Sequence, residues 1–391
     1  MSFKNKKTAI IGGGPGGLTL ARLLQIRNFE VKVYERDLDE KARVQGSPLD
    51  MHENSGMAAL RKAGLLEQFK KSYMPGADGT IITNESGDIF YNDHNPAGNE
   101  NFEDTTFRPE IDRGVLRKLL LDSLEPSSIV WGSRFISMEQ DGEGWLLHFE
   151  DGRSSYADLV IGSDGANSKI RPYLTGIKAS YTGITMLEGT VYQAAQATPR
   201  ISALLRGGKV MAFGNEKNIL LGQKANGEIG FYASFKTSAD WAAKSGLDFS
   251  DRIQMLDWFK RYYSEWSAIW FELFENAATP FIPRPIMCMP LDQSWQSLPN
   301  LAIIGDAAHV MPPFAGEGAN MAMLDALELS ECLDSEKNPT TGEAIAAFET
   351  AMRSRAAVAA KISVDNGEKM HNRDALEMML EFFEGTKLNR G

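Results

Sequence analysis

The 391-residue chain predicts an α/β fold on three observations. An apolar strand near residue 10 leads into a glycine-rich turn and a helix. A second strand, ending near residue 162, delivers Gly-x-Asp-Gly. A third, ending near residue 305, delivers Gly-Asp before a proline- and glycine-rich loop opens a long helix. Strand and helix patterns fill the region between the second and third segments, and the end of the chain is helix-forming throughout. The expected architecture is a Rossmann-like domain with an inserted sheet-plus-helix domain and a C-terminal helix.

In the first segment, Thr8-Ala-Ile-Ile11 is a short, partly β-branched run of the kind that forms a buried parallel strand. Gly12-Gly-Gly14-Pro-Gly-Gly17 follows at once, and Leu18 to Leu24 continues as a helix. This is G-x-G-x-x-G with a strand before it and a helix after it. Gly12 makes the tight turn, Gly14 lets the backbone approach a pyrophosphate, and Gly17 allows close helix–strand packing. The helix N-terminus offers unpaired N–H groups to the phosphates. A second strand, Val31 to Tyr34, ends in Glu35, an acid 18 residues beyond Gly17, close to the spacing of a ribose-binding carboxylate.

The middle segment runs from Asp158 through Gly162-Ser-Asp164-Gly165 to Arg171. Its glycines permit a turn against a ligand, and Asp164 offers an acceptor beside it; taken alone, Ser-Asp-Gly is simply a good turn. In the third segment, Asn300 to Gly305 is a buried strand followed by Asp306, placed to accept from a ribityl hydroxyl. The turn Gly316-Glu-Gly318-Ala-Asn320 then opens a helix expected over Met321–Leu333. Its N–H groups can hold the negative charge of a reduced flavin ring without a metal or an ionisable acid.

With those motifs in place, the chain resembles the para-hydroxybenzoate-hydroxylase-type (class A) flavoprotein monooxygenases over nearly its whole length. The resemblance implies bound FAD, a transiently visiting NADPH with no domain of its own, and molecular oxygen as co-substrate. It implies hydroxylation of a small cyclic aromatic or enolic substrate through a flavin C4a-hydroperoxide. Pro312, Pro313 and Phe314 would wall the reacting face, with Gly316 beside them, and no side chain is assigned as acid, base or nucleophile.

Within that family the chain is most similar to the tetracycline-inactivating TetX-type enzymes. The similar stretches are Val33-Tyr-Glu-Arg36, Arg43 to His52 with Leu49-Asp50-Met-His52, Arg61 to Leu66 and Pro109-Glu-Ile-Asp-Arg113 with Leu116-Arg117. Ser234-Phe-Lys-Thr237 and Met311 to Gly316 complete the set. The likeness puts Asp50, Arg113 and Asp306 on the FAD and Arg43 on the NADPH approach, and Glu35, Arg36, Asp164, Gly318 and Asn320 of the motifs complete the candidate cofactor residues. On the substrate side Met211, Phe314, Asn366 and Met370 are retained. A Gln, an Arg and a His that hold the drug in that group are replaced by Glu188, Lys209 and Gly230. Glu accepts only, Lys is a point charge where Arg is a planar fork, and Gly offers nothing. A tetracycline is therefore one candidate substrate, and a different aromatic is the alternative.

The flavin-binding domain is expected to be discontinuous, over 1–75, 103–175 and 282–335. Residues 76–102 and 176–281 would form the substrate domain and 336–391 a helical C-terminal region. In the substrate domain Lys217–Leu221 and Glu228–Phe235 read as strands joined at Asn226-Gly227. A helix is expected over Ser250–Trp266 with Ile253, Leu256, Trp258 and Phe259 near one face. Helices over Glu343–Asn366 and around Leu376–Phe383 would close the chain. The Met- and Phe-rich last helix serves either as core or as an adaptable pocket mouth.

Composition limits the alternatives. With 52 acidic and 41 basic residues the net charge is −11, which disfavours nucleic acid as a partner. Two cysteines, Cys288 and Cys332, form no CxxC pair and suit a reduced, cytoplasmic setting. No run of 18 apolar residues occurs and Met1–Lys7 is polar, so neither membrane nor export is expected, and a monomer is the default. The five histidines show no HxH or HExxH spacing, so no metal is expected, and no G-x-S-x-G elbow is present. The competing functions are an FAD-dependent reductase, a halogenase and a flavin-holding binder. Ser294-Trp-Gln does not supply the Trp-x-Trp segment that a halogenase needs.

Overall fold

The computed structural model describes residues 6–41, 48–94 and 101–388, the last three by backbone alone. A five-stranded parallel sheet has the order β17 (Leu301–Ile303), β11 (Leu159–Gly162), β1 (Lys7–Ile11), β2 (Glu30–Tyr34) and β7 (Ile129–Val130). Its central strands β11 and β1 are apolar along nearly their whole length because both faces are covered. Helix α1 (Pro15–Ile26) follows the glycine turn, with Pro15 preset for the first helical position. A three-stranded antiparallel sheet, β10 (Ser154–Ala157), β9 (Gly144–Phe149) and β8 (Phe135–Asp141), lies against this unit. A two-stranded ribbon, β3 (Leu49–Asp50) with β6 (Glu110–Ile111), leads into α2 (Arg113–Asp122). Asp112 caps α2 by accepting from the N–H groups of Gly114 and Val115.

The second large sheet has seven strands. In order they are β16 (Ile282–Cys288), β12 (Ser180–Val191), β15 (Ile229–Lys236), β14 (Lys217–Gln223), β13 (Lys209–Gly214), β4 (Thr80–Asn84) and β5 (Ile89–Asn92). Strand β16 falls within the 282–335 stretch expected to belong to the flavin-binding unit, yet it pairs with β12. Its Pro283 and Pro285 lack N–H donors, which an edge position tolerates.

One face of this sheet packs on α3 (Pro199–Leu205), α4 (Arg252–Tyr262) and α5 (Phe271–Asn276) through a buried aromatic cluster that includes Trp258, Phe259, Tyr263, Trp270, Phe274 and Phe281. Phe259 and Phe274 stack at 4.1 Å. Complete burial of one such side chain contributes about 1.5–3 kcal/mol. Helix α4 is shorter than expected, starting at the Asp251 cap and ending at Tyr262. Ile253, expected on the buried face, is 73% exposed, whereas Met255, Trp258 and Phe259 are buried. At 100° per residue, position 253 lies nearly opposite 255.

Helices α6 (Gly318–Asp334), α7 (Thr341–Met370) and α8 (Ala375–Leu388) complete the chain. A capping box between Thr340 and Glu343 starts α7, which spans 30 residues. Helix α6 packs on α1, and α7 packs on α6 and α8. The C-terminal end of α7 reaches the second face of the seven-stranded sheet, where Met370, Ala375 and Met379 join Ile82, Tyr91 and Phe213.

Candidate active site

The glycine turn leaves space for an anion. Gly12 has φ +109°, and a Cβ there would meet the Ser163 carbonyl oxygen at 2.4 Å. A Cβ on Gly17 would fall 2.1 Å from the Gly12 carbonyl oxygen. A Cβ on Gly14 would have nothing within 4 Å, and Gly14 caps α1 without any side-chain hydrogen bond. An open approach to an uncapped helix N-terminus fits a pyrophosphate. Glu35 is buried beneath this turn, accepting from Gly13 N at 2.6 Å and from Asp37 N at 3.0 Å. Arg36 next to it is exposed, and Arg43 lies outside the described residues.

The middle motif closes on itself and on the third. Asp164 Oδ2 accepts from Lys169 N at 2.7 Å, while its Oδ1 is buried without a partner. Arg171 donates through Nε to the Ala307 carbonyl (2.6 Å) and through Nη2 to that of Asp306 (2.8 Å), so it fixes the backbone after β17. From behind, Asp325 Oδ2 accepts from Gly305 N (2.8 Å) and meets His309 Nε2 (2.6 Å), while Arg355 Nη2 donates to its Oδ1 (2.7 Å). Burial opposes ionisation in this group. The mutual pairing nevertheless holds Asp325 below and His309 above their ordinary ranges. Asp306 itself is exposed, its Oδ1 4.0 Å from where a Cβ on Gly318 would stand. Surrounding protein raises its pKa against the pull of His309, Arg113 and Arg171.

At the start of α6, Gly316 has φ +68°, and a Cβ there would meet Asp50 Oδ1 at 2.8 Å. Asn320 donates to the carbonyls of Asp50 (2.8 Å) and Gly316 (3.1 Å), and its Oδ1 accepts from His52 N (2.9 Å). Both amide donors are therefore used internally. Asn320, expected to face the cofactor, instead staples the turn to β3. No side chain caps the N-terminus of α6, so its first N–H groups remain available.

The second face of the seven-stranded sheet carries the candidate substrate residues. Cross-strand register aligns Glu188, Tyr232, Leu220, Met211 and Ile82 in one row and Thr190, Gly230, Gly222 and Lys209 in the next. Side chains two residues apart share a face, so Glu188, Lys209, Met211 and Gly230 all look the same way. The loop of Met311 to Gly316 stands over this face. Pro312 is buried and Pro313 exposed, and Phe314 packs among Ile184, Met186, Leu220 and Tyr232. The end of α7 sets Phe314: Asn366 Nδ2 donates to its carbonyl at 3.1 Å, and His371 meets its ring edge-on at 5.6 Å.

Two charges expected to await a substrate are already paired. Glu188 accepts from Nε of Arg284, and Lys209 Nζ donates to Glu110 Oε1 at 2.6 Å. Arg284, Tyr232, Glu110 and His371 were not singled out from sequence. Alternation along β15 could have pointed to Tyr232. Nothing local marks Arg284 between its two prolines. Among the described residues no group of three His, Cys, Asp or Glu side chains could hold a metal, and no helix is long and apolar enough to cross a membrane.

The sequence profile of the FAD binding domain family matches residues 5–216 and 293–365. The 6-hydroxynicotinate 3-monooxygenase of Pseudomonas fluorescens is 26% identical over 388 residues, covering 95% of this chain and 94% of that protein. HpxO of Klebsiella pneumoniae, solved with FAD and uric acid, superposes with a TM-score of 0.76 at 22% identity, covering all of this chain and 94% of HpxO. The tetracycline destructase Tet(55) superposes with a TM-score of 0.74 at 17% identity, covering 94% and 90%. The destructases are thus one of several groups that share this fold.

Proposed function

Because this chain belongs to the FAD binding domain family and is a flavin-dependent monooxygenase, we propose that it hydroxylates a small, flat aromatic or enolic compound at the expense of NADPH and oxygen. The substrate would lie between the seven-stranded sheet and Phe314. The observation that carries this reading is the pocket face itself. Met211, Leu220, Met186 and Tyr232 share one face of the sheet with Phe314 packed against it, and the loop that carries Phe314 runs on into the uncapped start of α6. Largely apolar concave sites with few polar groups suit ring substrates.

FAD, when bound, would accept hydride and activate oxygen; this chain's residues would position and shield. Gly12, Gly14 and Gly17 would cradle the pyrophosphate, and Asp306 would accept from the ribityl chain. Gly316 to Gly318 would present N–H groups to the ring, and Arg43 and Arg113 would serve the nicotinamide and flavin approaches. Pro313 and Phe314 would keep water from the reacting face. The ion pairs Glu188–Arg284 and Lys209–Glu110 present the substrate with compensated charge. A tetracycline is the finer reading. It is supported by Met211, Phe314 and Asn366, with Met370 buried in the core beside them rather than exposed to a substrate, and weakened by Glu188, Lys209 and Gly230 at the polar edge.

NADPH oxidation by the purified yellow protein tests the proposal with a panel containing a tetracycline, 6-hydroxynicotinate and urate, followed by mass spectrometry. Accelerated oxidation with a product one oxygen heavier supports it. A product lacking that oxygen would sink it, and stimulation only by non-tetracyclines would sink the drug reading alone.

A further inference from the structure

Residue His52 stands two positions beyond Asp50 on extended backbone, so both side chains project to the same side. Its Nε2 lies 3.0 Å from Asp50 Oδ2, and its Nδ1 lies 3.3 Å from Glu317 Oε1. The residue is buried, at 8% exposure. A neutral imidazole has one N–H and can donate to only one carboxylate. The imidazolium donates to both. Burial alone would push its pKa down, but the two hydrogen bonds and the Asp50 charge raise it to about 9, against the opposing charge of Arg108.

Glu317 belongs to the Gly316–Gly318 turn that begins α6, and the same turn is tied to β3 through Asn320. The charged groups facing this cluster are Arg108, 3.8 Å from Asp50 Oδ2, and the Lys209–Glu110 pair, of which Lys209 attracts and Glu110 repels the Asp50 charge. Without the histidine charge, two carboxylates would face the helix start, and the cations acting on Asp50 would be Lys209, already paired with Glu110, and half-exposed Arg108.

We propose that His52 is a positioning residue and resident counter-ion of the flavin-ring site. It clamps the Gly316–Gly318 turn onto Asp50 and offsets Asp50 and Glu317, so that the α6 N-terminus can receive the negative charge of a reduced ring. This rests on the reading that FAD occupies the cleft beside α6. Two carboxylates that have lost this compensating charge would oppose the negative ring, whereas oxidised flavin, being neutral, would feel them little.

The test is the two-electron midpoint potential of the FAD-loaded protein between pH 6 and 10, for the wild type, His52→Gln and Glu317→Gln. His52→Gln keeps a donor but removes the charge. It should lose about tenfold in preference for reduced over oxidised flavin, a potential lower by about 30 mV. Glu317→Gln removes one carboxylate and should shift the potential upward. The wild-type potential should fall more steeply above pH 9, and that break should vanish in His52→Gln. A merely structural role would weaken FAD retention or lower the Tm of both variants without opposite potential shifts. If His52→Gln fails to fold, the upward shift in Glu317→Gln and the wild-type break still decide. Unmoved potentials with FAD bound would overturn the role of His52, whereas a wild-type protein that takes up no FAD would overturn the site reading itself.

Discussion

Replacing Gly367 by alanine sets two effects against each other. Within α7, alanine is favoured over glycine by about 1 kcal/mol. Its methyl, however, would sit 2.7 Å from Cδ2 and 2.9 Å from Cε2 of Phe314, with Ile184 Cδ1 at 3.4 Å on another side. Ordinary contact begins near 3.4 Å, so the ring must retreat by about 0.7 Å (3.4 − 2.7). Asn366 grips the Phe314 carbonyl and His371 flanks the ring, so the displacement falls on the side chain that walls the pocket. Overpacking of this kind costs about 1–3 kcal/mol. Set against the helix gain, the net change should lie between nothing and about 2 kcal/mol of destabilisation. Function should move further, because a shift approaching 1 Å near a reacting centre can cost on the order of 100-fold. In the proposed function Phe314 excludes water rather than reacts, so about tenfold more peroxide released per NADPH oxidised is expected. The assay is peroxide yield against NADPH consumption with a stimulating compound, alongside a urea unfolding curve. Unchanged coupling in a stably folded variant would refute the claim that α7 sets Phe314.

Three further outcomes follow from the same geometry. Burial holds His371 neutral with a pKa of about 4, against the 6.5 of an exposed histidine. The unfolded chain therefore binds more protons between these values, and about 3 kcal/mol of stability present above pH 6.5 is lost as pH falls toward 4. His371→Asn should flatten that acid limb in urea midpoints taken at pH 5 and 7.5; an unaltered slope would exclude the assignment. Asp325→Asn leaves buried His309 and partly buried Arg355 without their shared carboxylate, Arg355 keeping only Glu328. The loss should be about 3–5 kcal/mol by chemical unfolding, and a loss below about 1 kcal/mol would mean the network carries little of the fold. Gly12→Ala forces a Cβ onto the Ser163 carbonyl at a φ of +109°. The purified protein should be colourless, and a yellow variant of normal FAD content would contradict the cradle.

Much of this architecture was legible in the sequence because its signals are local. The strand, glycine turn and helix over residues 7–26 follow from residue type and period alone, as do β14, β15, α6 and α7. The two-residue strands β3 and β6 are held by tertiary pairing and have no period to read. Strand β16 carries two prolines that argue against a strand until its edge position is known. The candidate site divides in the same way. Glycines and acids at motif spacing stand out, whereas the Arg284–Glu188 and Lys209–Glu110 pairs depend on register between strands nearly 100 residues apart. The Asp50-x-His52 spacing was visible, but its second partner, Glu317, lies on a distant loop.

Oxygen isotope labelling tests the central claim most directly. The FAD-loaded protein would turn over NADPH under 18O2 with whichever panel compound accelerates oxidation, and the product would be weighed. One labelled oxygen atom in the product is the expected result. An unlabelled reduced product, or oxygen derived from water, would show that this fold serves another chemistry here.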